Sequence, residues 1–218
     1  LYHFISTAHK FPWYISIVVC QDKIFVIDSI TYKVKLFRLH DGKFLDTTDS
    51  LKSRLRDLCL MDAMTICVLH GDGLIEMVSI DCTDMSRILK TTWSLRLQGV
   101  MDGYHGVVRF KDNLVVCGVK QGTMYWCIVS LDDGHVDTVH QICKGDGLWC
   151  RMTTKDNIIY ISCRVGVNTG VYGFDILNPT RCKYTYKHQR LQIPTSIVVN
   201  EDGNIFVCNG LHDPCIHQ

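Results

Sequence analysis

Alanine and glutamate are nearly absent from this sequence: its 218 residues hold two of each, Ala8, Ala63, Glu76 and Glu201. Helices draw on such residues, so a helical bundle and a doubly wound α/β enzyme are disfavoured before any motif is read. Long apolar runs are missing too. The longest span about six residues against the roughly 20 needed to cross a bilayer, and Leu1–Lys10 lacks the form of a secretory signal, so a soluble, cytoplasmic protein is expected. Net charge of one sign is lacking at +1, which removes any global signature of a nucleic-acid or membrane binder and leaves distribution to decide. What the chain does have is β-branched residues: Val, Ile and Thr number 57, and they favour strands.

Twelve cysteines would suggest a disulfide framework in a small secreted domain. Their placement favours another reading. Cys20, Cys67, Cys117, Cys127, Cys163 and Cys208 sit inside apolar runs, where a reduced thiol packs as a small hydrophobe. No tandem C-x-x-C appears.

An internal period organises the chain. Five segments share one form, an apolar strand, a polar turn and a more strongly apolar strand: YISIVVC-QD-KIFVID, LCLM-DAM-TICVL, GVVRF-KDN-LVVCGV, CRMTT-KDN-IIYIS and SIVVN-EDGN-IFVCN. The turns centre on Asp22, Asp62, Asp112, Asp156 and Asp202, intervals of 40 to 50 residues. A third strand and second turn follow in VKLFRL-HDGK, LIEMVSI-DCTD, MYWCIVSL-DDG and VYGFDIL-NPT, then a fourth strand. Gly42, Asp133, Gly134, Asn178 and Pro179 fall where hairpin turns need a positive or fixed φ. The spacing predicts one all-β domain over 1–218, a β-propeller of four-stranded antiparallel blades with units near 12–49, 54–93, 104–143, 148–187 and 194–218. A large β-sandwich is the alternative that the repetition argues against.

The fifth unit, PTSIVVNEDGNIFVCNGLHDPCIHQ, carries Asp202-Gly203-Asn204-Ile205-Phe206-Val207 after a proline and a short apolar strand. It resembles an NHL repeat, and its ending is similar to those of the C-terminal propellers of invertebrate TRIM-NHL-type proteins. The resemblance implies a recognition module of a ubiquitin ligase whose RING and B-boxes lie upstream, a propeller of six blades, and oligomerisation through upstream segments. Five units are visible here, the fifth ends before a fourth strand, and the chain starts at Leu1. The expectation is therefore a propeller lacking about one blade at its C-terminus, with residues 1–7 able to close it.

In such a blade the loops between strands four and one and between strands two and three share one end. At those ends the sequence places eleven Lys and Arg against six Asp, with aromatics Tyr32, Trp93, Tyr104, Trp149 and Tyr186 in or beside the loops. The binding-face candidates are Lys52, Arg54, Arg56, Arg96, Lys120, Lys144, Trp149, Arg164, Lys187 and Arg190. Cations interleaved with aromatic rings suit single-stranded RNA or an acidic protein segment; a mildly basic solvated surface is the plainer alternative. The run from Lys183 to Arg190 can likewise be a ligand patch or an outer strand.

Cys208, His212, Cys215 and His217 are metal-ligating types within ten residues, at a spacing unlike a standard zinc finger. Catalysis has little support. There is no G-x-S-x-G, His70, His105 and His140 have no sequence-local triad partner, and among the first-strand starts, where a channel metal would need acids, Asp57 is the single clear carboxylate. Glu76 and Glu201 read as surface residues. The expected function is a non-enzymatic recognition scaffold without a cofactor. The alternative is a propeller hydrolase or lactonase with a channel metal.

Overall fold

The computed structural model describes residues 14–49, 51, 53–81, 88–145, 149–164, 166–210 and 215–218; the segment 1–7 proposed as a closing strand lies outside them. The strands form five antiparallel meanders in chain order. The first joins β1 (Tyr14–Cys20), β2 (Lys23–Asp28), β3 (Lys33–Arg38) and β4 (Phe44–Thr47). The second joins β5 (Leu55–Leu60), β6 (Thr65–His70), β7 (Leu74–Ile80) and β8 (Leu89–Arg96). Next come β9 (Gly103–Phe110), β10 (Asn113–Lys120), β11 (Thr123–Ser130) and β12 (His140–Lys144), and then β13 (Trp149–Lys155), β14 (Ile158–Arg164), β15 (Gly170–Asp175) and β16 (Asn178–Tyr186). The fifth has three strands, β17 (Pro194–Val199), β18 (Ile205–Asn209) and β19 (Cys215–His217). Among the described residues the single helical element is a 3-10 turn at Gly166–Asn168. The chain is an all-β propeller of five blades.

Turn chemistry explains why the meanders form. Gln21, Lys111 and Asp156 each open a two-residue turn between first and second strands with φ of 53°, 55° and 54°. At Gln121-Gly122 both residues are positive, φ 49° and 68°, the conformation whose twist matches the flanking strands. Asp62 instead caps its turn through its side chain, which accepts the Met64 N–H at 2.7 Å. One expected turn moves. Asn178 and Pro179 are the first residues of β16 rather than a turn, which lies at Ile176-Leu177 with the Leu177 N–H donating to Asp175 Oδ1 at 3.0 Å. Proline is tolerated because β16 is the outermost strand of its sheet and leaves one edge unpaired.

The chain divides into two compact units, Leu1–Gln98 and Gly99–Gln218. In the first, β1 packs against β5, and the facing surfaces of the two blades bury Phe25, Ile27, Val34, Leu36, Leu55, Leu58, Ile66, Val68, Val78 and Leu89. Each such side chain contributes roughly 1.5–3 kcal/mol when fully buried. In the second unit β13 packs against both β9 and β17. Its larger core holds Val115, Trp126, Met152, Ile159, Ile161 and Phe174, and a smaller one holds Val171, Leu191, Ile197 and Val207. The second strands β6 and β10 lie covered on both faces, which is why they read as nearly continuous apolar runs, whereas the outer strand β16 is mostly exposed.

Polar groups inside these cores are not all satisfied: Trp126 Nε1 has no hydrogen-bond partner among the described residues, whereas Asp28 is paired. Asp28, fully buried, meets Lys35 Nζ at 2.7 Å and accepts the Ile30 N–H at 3.0 Å. Burial resists ionisation of Asp28, but the Lys35 ammonium and the Ile30 N–H outweigh it and hold the carboxyl below the usual carboxylate range. Cys20, Cys67, Cys117, Cys127 and Cys163 are buried thiols, and the eleven described cysteines form no disulfide with one another. Cys208 departs from the expectation and is exposed. It alternates with Val207 and Asn209, which point inward, so its own side chain takes the opposite face of a blade with no fourth described strand.

Candidate binding face

Antiparallel order brings the ends of second and fourth strands and the starts of first and third strands to one end of each blade. In the second blade that end carries Ser53 and Arg54 before β5, Arg56 within it, His70 closing β6, Asp72 in the following turn and Arg96 closing β8. His70, fully buried, lies 2.7 Å by Nδ1 from Ser53 Oγ and 2.7 Å by Nε2 from Glu76 Oε2. Ser53 Oγ also donates to Asp72 Oδ1 at 3.0 Å, and Arg96 Nη1 donates to Asp72 Oδ2 at 2.9 Å. A backbone bond from the Gly71 N–H to Arg54 O, 2.8 Å, completes the tie. Burial opposes the Asp72 charge, but Arg96, Ser53 and the Leu74 N–H together keep its carboxyl below the usual range.

His70 therefore has the partners its sequence neighbourhood did not show. Serine, histidine and glutamate stand in the order of a nucleophilic relay, yet the Ser53 hydroxyl is shared with Asp72 and the imidazole is sealed from solvent. The arrangement works as a strut that fastens the loop before β5 to the turn after β6. A sequence signal for it existed. Val68 pairs with Glu76 across β6 and β7, so His70, two residues on, is a diagonal neighbour on the same face. Nearby, Arg56 is half-buried beside Gly71, where an added Cβ would come within 3.1 Å of Arg56 Nε. Deeper in the same unit, Ser16 Oγ donates to the buried Asp57 at 2.7 Å and joins the first strands of its two blades.

In the second unit Lys120 closes β10, Lys144 closes β12, Arg164 closes β14, and Lys187 and Arg190 follow β16; all five are exposed. Lys120 Nζ donates to Gly99 O at 3.1 Å. Asn168 bridges two of the others, donating to Lys144 O at 3.1 Å and accepting from Lys187 Nζ at 3.5 Å. A cleft of about 430 Å³ opens beside them, lined by Gly166, Thr169, Lys187, His188, Leu191 and Gln192. Among the described residues Arg54, Lys120, Lys144, Arg164, Lys187 and Arg190 reach no carboxylate.

The aromatic residues differ from one another. Trp149 is half-buried, with the Arg151 guanidinium 4.9 Å from its ring centre and His105 at 5.8 Å, so one side of the ring is already occupied. Arg151 is itself buried and donates to His105 O at 2.6 Å. Tyr104 turns inward, 1 % exposed, and burial pushes its hydroxyl up to about 12. Tyr186 stacks parallel on His188, centroids 6.3 Å apart, and its hydroxyl lies 3.2 Å from His217 Nδ1.

Of the residues considered as metal ligands, Cys215 and His217 share a face, Sγ to Nε2 3.4 Å. Cys208 is in register with Ile216 and takes the other face. His212 and the binding-face candidate Lys52 lie outside the described residues. Among the described residues no three His, Cys, Asp or Glu side chains converge as a metal would require, and no helix is long and apolar enough to cross a membrane.

No protein-family model and no curated protein sequence matches the chain. Its fold does match solved structures. A chain of a nidogen/laminin complex superposes with a TM-score of 0.68 at 15% identity, covering 91% of this chain and 72% of that one. The glutaminyl cyclase of Myxococcus xanthus gives 0.60 at 13% identity, covering 90% and 85%. The computationally designed Ika4 protein gives 0.51 at 15%, covering 78% and 94%. At these identities the likeness is one of fold.

Proposed function

We propose that the chain is a non-enzymatic recognition module that binds an anionic partner, an acidic protein segment or single-stranded RNA, at the basic blade ends. The observation that carries the reading is the set of exposed cations at strand termini of the second unit, Lys120, Lys144, Arg164, Lys187 and Arg190, without neutralising carboxylates among the described residues; Arg54 stands at the corresponding blade end within the first unit. Charges held on rigid blades bind with little ordering cost, and the Ser53–His70–Glu76 strut serves that end by fixing the loop that bears Arg54. In its finer form the module is the substrate-recognition propeller of a TRIM-type ubiquitin ligase, with ubiquitin transfer belonging to a RING domain, as the NHL-like fifth unit suggests.

The probes are a fluorescent oligouridylate and a polyglutamate peptide, titrated across a salt series. At least one should bind with log K falling linearly in log salt, a slope near −0.7 per phosphate neutralised in the RNA case. The combined charge reversal Lys144→Glu, Lys187→Glu and Arg190→Glu should abolish most of that binding, and unchanged binding in the triple variant refutes the proposed face. The rival reading, a propeller hydrolase or lactonase with a channel metal, has the enzyme among the fold neighbours in its favour. Thermal stabilisation by Ca²⁺ or Zn²⁺, with no salt-dependent binding of either probe, would establish that reading instead.

A further inference from the structure

One face of the fifth blade gathers a thiol, an imidazole, a phenol and an amide. Cys215 and His217 alternate along β19, so their side chains point the same way, and Cys215 Sγ lies 3.4 Å from His217 Nε2. The other ring nitrogen, Nδ1, lies 3.2 Å from Tyr186 Oη, at the end of β16 in the blade before it. Two rings hold the imidazole in place, Tyr186 edge-on with centroids 6.3 Å apart and His188 at 5.4 Å. Asn209 is buried directly opposite Cys215 in the β18–β19 register. It accepts the Gln192 and Ile193 N–H groups at Oδ1, 3.1 and 2.9 Å, and donates from Nδ2 to Arg190 O at 2.9 Å. The same amide nitrogen lies 3.9 Å from Cys215 Sγ and donates to it.

We propose that Cys215 is a nucleophilic thiol, with His217 as its base and Tyr186 and Asn209 as positioning residues, and that it reacts with low-molecular-weight disulfides that carry carboxylates. A nucleophile, a base in reach of it and a third group that orients the base are the parts covalent chemistry needs. Tyr186 Oη accepts from Nδ1–H, which leaves Nε2 as the acceptor turned to the thiol. Cys215 passes its proton to Nε2, and the thiolate attacks one sulfur of the disulfide. The S–S bond breaks and the leaving thiolate takes the proton back from the imidazolium. One protein thiol and one small disulfide become one mixed disulfide and one small thiol, with no further oxidant consumed.

The surroundings set access and ligand class. Cys215 is half-buried, whereas the core thiols are sealed. His188, beside His217, lines the cleft of about 430 Å³ together with Lys187, and exposed Arg190 follows close by. Ammonium and guanidinium groups there receive the carboxylates of the disulfide. Among the described residues the titratable groups facing His217 are Cys215 on its own strand and Tyr186 and His188 from the preceding blade. The reaction goes beyond the macromolecular binding proposed above and does not depend on the other blade ends. Cys208 is more exposed, stands in register with Ser196 and Ile216 and takes the opposite side of the sheet, so it separates activation from access.

The test is treatment of the intact protein with dithiobis(nitrobenzoate) for graded times, alkylation of the remaining thiols, tryptic digestion without reductant, and mass spectrometry. Peptide 191–218 holds both Cys208 and Cys215, and fragment ions between them give the two rates from one sample. At pH 7 Cys215 should react about tenfold faster than Cys208 or more, since only its thiolate has an imidazolium beside it. His217→Gln should remove that advantage at pH 7, yet at pH 10, above the ordinary thiol value of about 8.5, variant and parent should react alike. Tyr186→Phe keeps the ring and should slow Cys215 at pH 7 alone; an unchanged rate removes Tyr186 from the proposal. With uncharged dithiodipyridine the ratio of the Cys215 rate to the Cys208 rate should be smaller, and an equal ratio overturns the anionic ligand class. A Cys215 rate at or below that of Cys208 in the unsubstituted protein overturns the proposal, as does a His217→Gln rate equal to the parent's at pH 7. The first of these outcomes needs no variant to fold.

Discussion

Replacing Lys35 with methionine keeps the side chain's length and removes its charge, leaving Asp28 fully buried with no ammonium beside it. Breaking a buried ion pair from one side costs about 3–5 kcal/mol, because the remaining charge has lost both water and counterion. For a chain of this size each kcal/mol shifts the melting temperature by about 2–4 °C, so a fall of roughly 6–20 °C is expected at pH 7. The sign with pH follows from the direction of the Asp28 shift. Its folded carboxyl lies below the ordinary value, so the pair's contribution is complete above that ordinary value of about 3.9. It is lost as pH falls through the lower folded one. In Lys35→Met burial is no longer opposed by the ammonium, Asp28 becomes protonated more readily, and the gap from the parent protein should narrow by pH 4. Circular dichroism melts of both proteins at pH 7 and pH 4, with the Asp28→Asn/Lys35→Met double variant as reference, measure all of this. The double variant should recover most of the loss. A shift below about 2 °C at pH 7, or an equal loss at both pH values, would refute the reasoning that an unpaired buried carboxylate is the source of the cost.

Two further substitutions probe the blade geometry. Gly118→Ala places a Cβ against the Gly103 carbonyl oxygen and within 2.6 Å of Met101 Sδ; backbone must move, and about 1–3 kcal/mol should be lost in urea denaturation. Gly103→Ala, whose Cβ meets nothing within 4 Å, should cost markedly less, and equal costs would discard the steric account. Ser53→Ala leaves His70 Nδ1 without its hydroxyl and should cost about 1–3 kcal/mol. It should also speed hydrogen exchange at the Gly71 amide, which is bonded to the same loop; unchanged exchange would mean that the strut does not hold it.

The repeat was legible because it is written in local chemistry. Asp22, Asp112, Asp156 and Asp202 all fall at first-to-second-strand turns, and Gly42 and Gly134 adopt φ of 67° and 72°. The Pro179 assignment failed for an equally local reason. A proline marks a turn only when the edge beside it must be paired, and β16 has a free edge. Cys208 was misread because a short apolar run does not reveal which of its two faces another strand will cover. The positions of the basic residues along their strands followed from the meander alone, whereas the orientation of Tyr104 and the packing of Arg151 on Trp149 depended on neighbouring blades.

By itself the sequence determined the strand period, the turn sites, the near absence of helix and the end of each blade at which the cations stand. Each of these is set by residues within about ten positions of one another, through backbone φ preference and alternation. Tertiary structure alone decided which polar and sulfur groups meet. Ser53 and His70 are 17 residues apart, Cys117 and Cys150 are 33 apart, and Ser16 and Asp57 are 41 apart. Such pairs form because packed blades hold distant strands in fixed register, and the energy of a contact between them depends on burial that no local pattern encodes.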